Sequence, residues 1–251
     1  MHSLAQHPDT EAALPRIVVS GSPSSLLLTT KRVIDVVLAG LILLLLAPLL
    51  LLIAIAIKLD TPGPVFFIQR RIGSAKRSIG GQSVWVTYPF DFYKFRSMTH
   101  GADPERHRVF VRAFIQNDTE TMAQYQGART NAANQCKMTE DPRITRIGKV
   151  LRKLSLDELP QFWNVLRGDR SVVGPRPPID YEVEMYHSWH HRRFAATPGI
   201  TGLWQVTARS SASFDEMVRL DIDYIEHLSL WLDLKIMVKT PYVMLRGKGA
   251  E

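Results

Sequence analysis

The chain is poor in cysteine, with a single thiol, Cys136, in 251 residues. It therefore has no partner for an internal disulfide, and this usage is typical of a reducing compartment. Internal repeats of the kind that build solenoids or propellers are also lacking. The net charge is +7, but no recognised nucleic-acid-binding motif accompanies it, so we predict no nucleic-acid partner.

Charge is absent from the 22 residues between Val36 and Ile57. As a straight helix this run would be ~33 Å long, enough to cross the hydrocarbon core of a bilayer. Pro48 lies near its middle, where it would break the helix. Lys31 and Lys58 mark cationic flanks at both ends, whereas a spanning helix carries its Lys/Arg excess on one side. We therefore predict a re-entrant helix that breaks at Pro48 and returns to the same face, with a kinked spanning helix as the alternative.

The remaining sequence predicts a tail (1–30), the membrane helix (31–58) and one compact membrane-surface domain (59–251). Residues 58–112 contain ten basic and four acidic side chains, a net +6. Such a basic surface suits anionic lipid headgroups or a phosphorylated substrate. We expect an α+β fold that is mostly helical, with a small hairpin or sheet and amphipathic helices at the membrane interface.

Three short strands are predicted, over 65–68 with closure at Gly73, over 83–87 and over 90–98. Alternation in the third strand puts Phe92, Lys94 and Arg96 on one face. Two cations side by side could hold a phosphate, although a solvated strand face explains them equally well.

Amphipathic helices are predicted over 147–154, 213–228 and 230–238, the last ended or kinked by Pro241. Residues 99–140 are expected to be irregular apart from one amphipathic patch at 109–115. Near the start of the membrane helix, we expect Asp35 to pair with Lys31 or Arg32. A zinc site at His187 and His191 is conceivable, but solvated histidines are the favoured interpretation.

The pattern Ser-x-Asp-Glu occurs twice, at 155–158 and at 213–216, each time before an apolar helical pattern. Both copies read as capping boxes, so the pattern alone cannot nominate a catalytic pair. The neighbours differ, because Asp157 and Glu158 are flanked by basic residues and precede a Pro-Arg-Pro sequence at 175–177. Adjacent carboxylates near phosphate-binding cations suit a nucleophile or a Mg²⁺ site. Prolines on both sides of Arg176 would hold it ready to clamp a phosphate, the alternative being an arginine in a solvated turn.

These motifs, taken in series, resemble the bacterial sugar transferases, also called monotopic phosphoglycosyl transferases, over residues 31–247. Many ordered matches make the resemblance specific, and the absence of an extra helical bundle matches the small, catalytic-core form. The matching segments are 31–35, 61–67, 93–98, 141–148, 154–161, 173–177, 198–206 and 229–236.

The resemblance implies a re-entrant helix broken at Pro48, although Ala47 stands where some members have serine. It assigns Asp157 as the nucleophile and Glu158 as a Mg²⁺ ligand and orienting acid. The expected substrate-binding residues are Lys94, Arg96, Arg152, Pro175, Arg176 and Pro177, with Gln205 expected to line the site beside Trp204.

The implied reaction moves hexose-1-phosphate from a UDP-sugar to a polyprenyl (undecaprenyl) phosphate through a sugar-phosphoryl group on Asp157. It would take place at the cytoplasmic face of the bacterial inner membrane, in contact with membrane lipid, and would initiate exopolysaccharide, O-antigen or capsule assembly. The identity of the sugar and homo-oligomerisation remain open. The main alternative is a catalytically silent scaffold of a polysaccharide assembly complex, and a basic membrane-anchored nucleic-acid binder is a third hypothesis.

Overall fold

The computed structural model describes residues 16–18, 23–125, 141–208 and 211–245. In these ranges helices predominate and two small sheets accompany them, which confirms the predicted mixture. The helices are α1 (Ser25–Leu45), α2 (Ala47–Asp60), α3 (Glu105–Ile115), α4 (Thr119–Tyr125), α5 (Arg146–Lys153), α6 (Gln161–Arg167), α7 (Asp180–Val183), α8 (Leu203–Thr207), α9 (Phe214–Glu226) and α10 (Leu230–Leu245). The strands are β1 (Arg16–Val18), β2 (Phe66–Ile79), β3 (Gln82–Phe95), β4 (Ser171–Val173) and β5 (Gly199–Thr201). Two 3₁₀ helices are formed by Leu156–Glu158 and Ser188–Phe194.

The uncharged run forms α1 and α2, which meet at Leu46 with a bend of 61°. Pro48 lies in the first turn of α2, where its missing N–H removes no intrahelical bond, so the proline starts the second helix. The predicted break beside Pro48 is confirmed, although α1 begins at Ser25, earlier than the expected start near Lys31. Among the described helices none is by itself long and apolar enough to cross a membrane, whereas α1 and α2 together meet that criterion by length and composition.

The broken helix has one protein-facing side and one bare apolar side. Ile53 and Ile57 are buried against Phe95 and Leu151. On the other side four leucines expose 63–74% of their surface, and they are Leu44, Leu45, Leu51 and Leu52. Several large apolar side chains exposed on one helix pair are typical of a site that contacts a partner or a membrane.

The charged start of α1 is fixed to the rest of the domain by three side chains. Lys31 forms a buried ion pair with Asp233 of α10, with Nζ and Oδ2 2.6 Å apart. Arg32 donates hydrogen bonds to the carbonyls of residues 165 and 166 at the end of α6. Asp35 accepts a 2.9 Å hydrogen bond from the backbone N–H of Val172. The expected direct contact of Asp35 with Lys31 or Arg32 does not form, because both cations contact partners distant in sequence, and the charge of Lys31 acts on Asp35 only over a longer distance.

β2 and β3 form one long antiparallel hairpin, in which the two strands pair from Phe66–Phe95 to Ile79–Gln82. The chain turns at Gly80 and Gly81, whose φ angles of 57° and 79° suit a two-residue hairpin turn. The predicted closure at Gly73 is wrong, because Gly73 pairs with Tyr88 within the ladder. The two later strand predictions, 83–87 and 90–98, merge into β3, which ends at Phe95. β1 adds a third strand beside residues 84–86 of β3.

Residues 99–140 contain more structure than the sequence predicts. The amphipathic patch is the last part of α3, which packs with α4, α8 and α9 around a core of buried residues. That core includes Phe110, Phe114, Trp204 and Phe214. Cys136 and residues 126–140 lie outside the described residues.

The predicted helices over 147–154, 213–228 and 230–238 correspond to α5, α9 and α10. α10 does not end at Pro241 but continues to Leu245. This helix has a buried and an exposed side, because Ile236 is buried while Trp231 and Val238 are 64% and 69% exposed.

The short parallel pair of β4 and β5 leads into the Pro-Arg-Pro sequence. Gly174 lies where the two strands come closest, and a Cβ atom there would be 2.4 Å from the carbonyl oxygen of Thr197. Only glycine allows this approach, so the start of the Pro-Arg-Pro segment is held tightly against the protein.

Candidate active site

A cavity of about 280 Å³ lies between the hairpin, the 3₁₀ turn at 156–158 and helices α3, α8 and α9. Its charged and polar lining residues are Lys94, His107, Asp141, Arg143, Arg152, Ser155, Asp157, Glu158, Arg176, Glu182 and Arg193. Its apolar lining residues are Met98, Phe110, Val111, Phe114, Ile115, Trp204, Phe214 and Met217. The fold therefore brings an acidic pair, several cations and several aromatic side chains to one cavity.

The acidic pair is carried by a strained turn and not by a capped helix. Ser155 has φ 55° and ψ 24°, a left-handed conformation that is uncommon for serine, and its side chain makes no capping bond. The 3₁₀ helix that follows contains three residues, and α6 begins only at Gln161. The predicted capping box at 155–158 is therefore wrong. Backbone strain of this type is concentrated at functional sites.

The turn is fixed against the broken helix. Leu156 and Leu159, on either side of the acidic pair, pack on the cluster that contains Ile53 and Ile57 of α2. The acidic pair consequently lies next to the helix pair that carries the exposed apolar surface.

Lys94 of β3 faces both carboxylates. Its Nζ is 2.8 Å from Glu158 Oε1 and 3.9 Å from Asp157 Oδ2. Asp157 is buried, with 8% of its surface exposed, whereas the side chain of Glu158 is 39% exposed. One lysine thus bridges a buried and an accessible carboxylate, whereas the role predicted for Lys94, binding of a substrate phosphate, stays a prediction.

The two carboxylates differ in acidity. Burial raises the pKa of Asp157, and the negative charge of Glu158 adds to this, while Lys94 opposes it. Burial would also raise the pKa of Glu158, but the ammonium of Lys94 outweighs it and, with the more distant Arg170 and Arg176, holds that pKa below its usual value. Such a pair separates into a carboxylate that is readily ionised and one that depends on its neighbours.

Three of the predicted cations line this cavity, namely Lys94, Arg152 and Arg176. Pro175 and Pro177 are buried on either side of the exposed Arg176. The segment is further held by hydrogen bonds from Arg71 to the carbonyl of Pro177 (2.7 Å) and from Arg193 to the carbonyl of Arg176 (3.2 Å). Buried prolines and two hydrogen bonds thus hold the backbone that presents Arg176, while its predicted clamping of a phosphate stays a prediction.

Two predicted residues lie elsewhere. Arg96 follows the end of β3, is buried, and donates hydrogen bonds to the carbonyls of Thr61 and Pro62. The structure therefore separates Arg96 from Lys94, which the strand pattern pairs. Gln205 donates a 3.3 Å hydrogen bond to the carbonyl of Ile200 and is not among the residues that line the cavity, whereas its neighbour Trp204 is. The assignment of Arg96 and Gln205 to substrate binding stays a prediction.

Several cavity residues were not singled out in the sequence. Arg143 lines the cavity and is fixed by a bidentate contact with Asp141, and Arg193 and His107 line the same cavity. Arg143 lies in a segment, 141–148, that carries the family resemblance, which was the available signal. His107 has no pattern around it, so only the fold could bring it to the site.

Two further cations, Arg71 and Arg170, pack with Lys94 around the ring of Phe92. The guanidinium carbons of Arg71 and Arg170 lie 4.5 and 4.9 Å from the centre of the Phe92 ring. Lys94 approaches the same ring at 5.5 Å, so Phe92 and Lys94 share a face as predicted. The aromatic ring separates cations that would otherwise repel one another and keeps them close to Glu158.

For metals, Asp157 and Glu158 are two carboxylates at one wall of the cavity, a donor set that fits Mg²⁺ together with substrate phosphates. Across the described residues, no three His, Cys, Asp or Glu side chains gather into one cluster. His187 and His191 consequently have no third such ligand there, and the conceivable zinc site gains no support.

The sequence was also compared with known protein families and with individual proteins. The profile of the family described as bacterial sugar transferase matches residues 26–247. The chain is 41% identical over 225 residues to the galactosyl transferase CpsE of Streptococcus agalactiae serotype III, covering 89% of this chain and 44% of CpsE. It is 39% identical over 221 residues to the exopolysaccharide production protein ExoY of Sinorhizobium fredii, covering 88% of each chain.

A third relative has a name that states a reaction. The UDP-glucose:undecaprenyl-phosphate glucose-1-phosphate transferase of Caulobacter vibrioides is 40% identical over 245 residues, covering 94% of this chain and 74% of that protein. The chain thus spans less than half of CpsE but most of ExoY. With the family profile covering nearly all of its length, the chain belongs to the bacterial sugar transferase family.

Proposed function

We propose that the protein is a phosphoglycosyl transferase that moves a sugar-1-phosphate from a UDP-sugar to undecaprenyl phosphate or a related polyprenyl phosphate, the first step of a polysaccharide assembly. The observation that carries the proposal is the position of Asp157 and Glu158, bridged by Lys94, in a cavity that also presents Arg143, Arg152 and Arg176. Family membership and the name of the Caulobacter relative support the same reaction.

In the proposed first step, a carboxylate oxygen of Asp157 attacks the sugar-bearing phosphorus of the UDP-sugar. The bond from this phosphorus to the oxygen that bridges the two phosphates breaks, and UMP leaves with that oxygen. In the second step, a phosphate oxygen of the polyprenyl phosphate attacks the same phosphorus and releases the Asp157 carboxylate. Splitting the transfer in this way predicts ping-pong kinetics.

The surrounding groups fit this chemistry. Lys94 favours the ionised form of Asp157 that nucleophilic attack requires. The arginines on the cavity wall would offset the negative charge on the transferring and leaving oxygens. Asp157 and Glu158 would hold Mg²⁺, which supplies charge neutralisation at the diphosphate when bound.

The second substrate dissolves in the bilayer, so the proposed site must lie at a membrane surface. We propose that α1 and α2 form a re-entrant pair in the cytoplasmic face of a bacterial inner membrane. Three features support this: the bend of 61°, the exposed leucines on both helices, and cations at both ends of the run. The contact of Leu156 and Leu159 with α2 would then keep Asp157 close to the bilayer.

The test is a search for the covalent intermediate in detergent-solubilised protein. The protein is incubated with Mg²⁺ and UDP-glucose or UDP-galactose without a lipid acceptor, and its intact mass is measured. We expect a mass increase of one hexose phosphate located on Asp157, which disappears when undecaprenyl phosphate is added. The matched variant Asp157→Asn should show neither the adduct nor UMP release.

Two outcomes would count against the proposal. If no adduct forms without the lipid and Asp157-dependent UMP release begins only when undecaprenyl phosphate is added, the transfer is direct and the covalent step is removed. If uridine, guanosine and cytidine diphosphate sugars release no UMP, GMP or CMP with several polyprenyl phosphates, the silent scaffold is favoured.

A further inference from the structure

His107 is the cavity residue that the proposed chemistry leaves without a role. It lies on α3 and lines the same cavity as Asp157 and Glu158. Its Nδ1 is 2.8 Å from the hydroxyl oxygen of Tyr181, which fixes the orientation of the ring. Tyr181 is itself held, because the guanidinium carbon of Arg108 lies 5.1 Å from the centre of its ring.

The other ring nitrogen, Nε2, has no hydrogen-bond partner in the part of the chain that the structure describes. An imidazole that is fixed at one nitrogen and open at the other, on the wall of a substrate-sized cavity, has the form of a ligand-binding group.

The surroundings keep this imidazole uncharged. Burial lowers the pKa of His107 to about 4, with further lowering by Arg71, Arg176, Arg143 and Arg152. Burial also raises the pKa of Tyr181 to about 12, so its hydroxyl keeps its proton. A neutral ring adds no charge to a cavity already lined by cations, but it keeps a nitrogen that can form a hydrogen bond with an uncharged part of the ligand.

We propose that His107, oriented by Tyr181, is a specificity-determining residue that hydrogen-bonds a sugar hydroxyl of the donor nucleotide. This inference rests on the proposed function, since it takes a nucleotide sugar as the ligand of the cavity. A hydroxyl is both a donor and an acceptor, so it can pair with Nε2 in either tautomer. The hydroxyl can belong to the hexose or to the ribose, and the experiment separates these two sources.

A binding measurement tests this independently of turnover. The protein carries Asp157→Asn so that bound donor is not consumed, and dissociation constants are measured for UDP-glucose, UDP-galactose and UDP with and without His107→Leu. The two hexoses differ only in the orientation of one hydroxyl. His227→Leu is the control, because His227 lies at the exposed end of α9, with 70% of its side chain accessible.

We expect His107→Leu to weaken binding of at least one UDP-hexose about tenfold, the size of one lost hydrogen bond in a site built to use it. If a UDP-hexose binds more weakly while UDP binding is unchanged, the contacted hydroxyl belongs to the hexose. In that case the preference between UDP-glucose and UDP-galactose should also change. Equal loss for all three ligands places the contact on the shared uridine diphosphate. In that case 2′-deoxyuridine diphosphate decides: a ribose hydroxyl is identified if His107→Leu no longer weakens its binding, and the inference is overturned if the loss is the same. Tyr181→Phe should reproduce part of the loss, because it frees the ring, whereas His107→Gln should restore part of the binding.

The inference is overturned if His107→Leu and His227→Leu both bind all three ligands as the parent does, at an unchanged thermal midpoint. In that case the nucleotide-sugar function stands and only the role of His107 is lost. If the Asp157→Asn parent binds none of the three ligands, the proposed function fails and the inference fails with it.

Discussion

Residues 155–158 and 213–216 carry the same Ser-x-Asp-Glu pattern, but the chain folds them differently. Ser213 has φ −65° and ψ 165°, and its side chain accepts a hydrogen bond from the N–H of Glu216, so it caps the 13-residue α9. Ser155 has φ 55° and caps nothing, and the turn after it stops at three residues. The pattern predicts a helix start, and only one of the two copies makes one.

The cause of the difference is Pro160. A helix that began after Ser155 would need the N–H of residue 160 to donate to the carbonyl of residue 156, and proline has no N–H. At the equivalent position the second copy has Val218, which is buried in the core and continues the helix. The residue two places after the pattern, Pro160 or Val218, therefore decides whether a helix continues from the acidic pair.

The surroundings of the two acidic pairs differ as much as their backbones. Asp157 is buried in the cavity within 3.9 Å of Lys94. Asp215 has a side chain that is 37% exposed and contacts His190 at 3.1 Å, and Glu216 points to solvent. The same sequence pattern therefore offers the same local hydrogen bonds in both copies. The neighbours brought by the tertiary fold determine whether the carboxylates cap a helix or line a charged cavity.

The largest expected effect separates the two aspartates. Asp157→Asn should lower UMP release by roughly four orders of magnitude or more, because it removes the proposed nucleophile without changing its shape. Asp215→Asn, the same change in the capping copy, should retain activity within about threefold. Initial rates of UMP release on matched preparations test this, and similar losses in both variants would remove the functional distinction between the two copies.

A smaller effect is expected from the cations beside each pair. Lys94→Met should lower the rate of UMP release about a hundredfold or more, the size seen when one stabilising group at a reacting centre is lost. It should also move the acid limb of the pH–rate profile upward. Lys94 lowers the pKa of Asp157, so its removal raises that pKa, and the ionised nucleophile is then lost at a higher pH as the pH falls.

The control for Lys94 is Arg219→Met in α9. Arg219 follows Glu216 by three residues and lies over the ring of Trp189, outside the charged cavity. We expect its rate and acid limb to match the parent protein. An acid limb that stays in place in Lys94→Met would show that Lys94 does not govern the ionisation of Asp157.

The smallest effect concerns the two serines. Ser213→Ala removes a helix cap, which is worth about 1 kcal/mol, and should lower the thermal midpoint by roughly 2–4 °C. Ser155→Ala removes no cap and should leave the midpoint within about 1 °C. Differential scanning fluorimetry in one detergent compares the two variants directly, and an equal drop in both would mean that Ser155 does act as a cap.

Predictions from sequence succeeded where one local signal dominates. Pro48 in an uncharged run predicts the break between α1 and α2, and apolar spacing predicts α5 and α9. The hairpin failed because Gly73 was read as a turn, although the adjacent glycines at 80 and 81 are the stronger hairpin signal. In the capping box the error was to overlook Pro160, which is also visible in the sequence.

Other features lie beyond local reasoning. Asp35 was assigned to its neighbours in the same helix, yet its partner is the N–H of Val172, 137 positions away. Arg96 was paired with Lys94 by strand alternation, but the strand ends between them and Arg96 turns to residues 61 and 62. A buried charge takes the partner that satisfies it best, and sequence spacing does not say which distant group will be close.

The amino-acid order by itself determines the apolar broken helix, the positions of most helices, and a carboxylate pair in a basic neighbourhood, because each depends on residues within a few turns of one another. The tertiary structure decides that Lys94 bridges the pair, that Arg143, Arg176 and His107 share its cavity, and that the turn at 155–158 rests on α2. These contacts join residues tens of positions apart, and their energies depend on burial and distance, which exist only once the chain has folded.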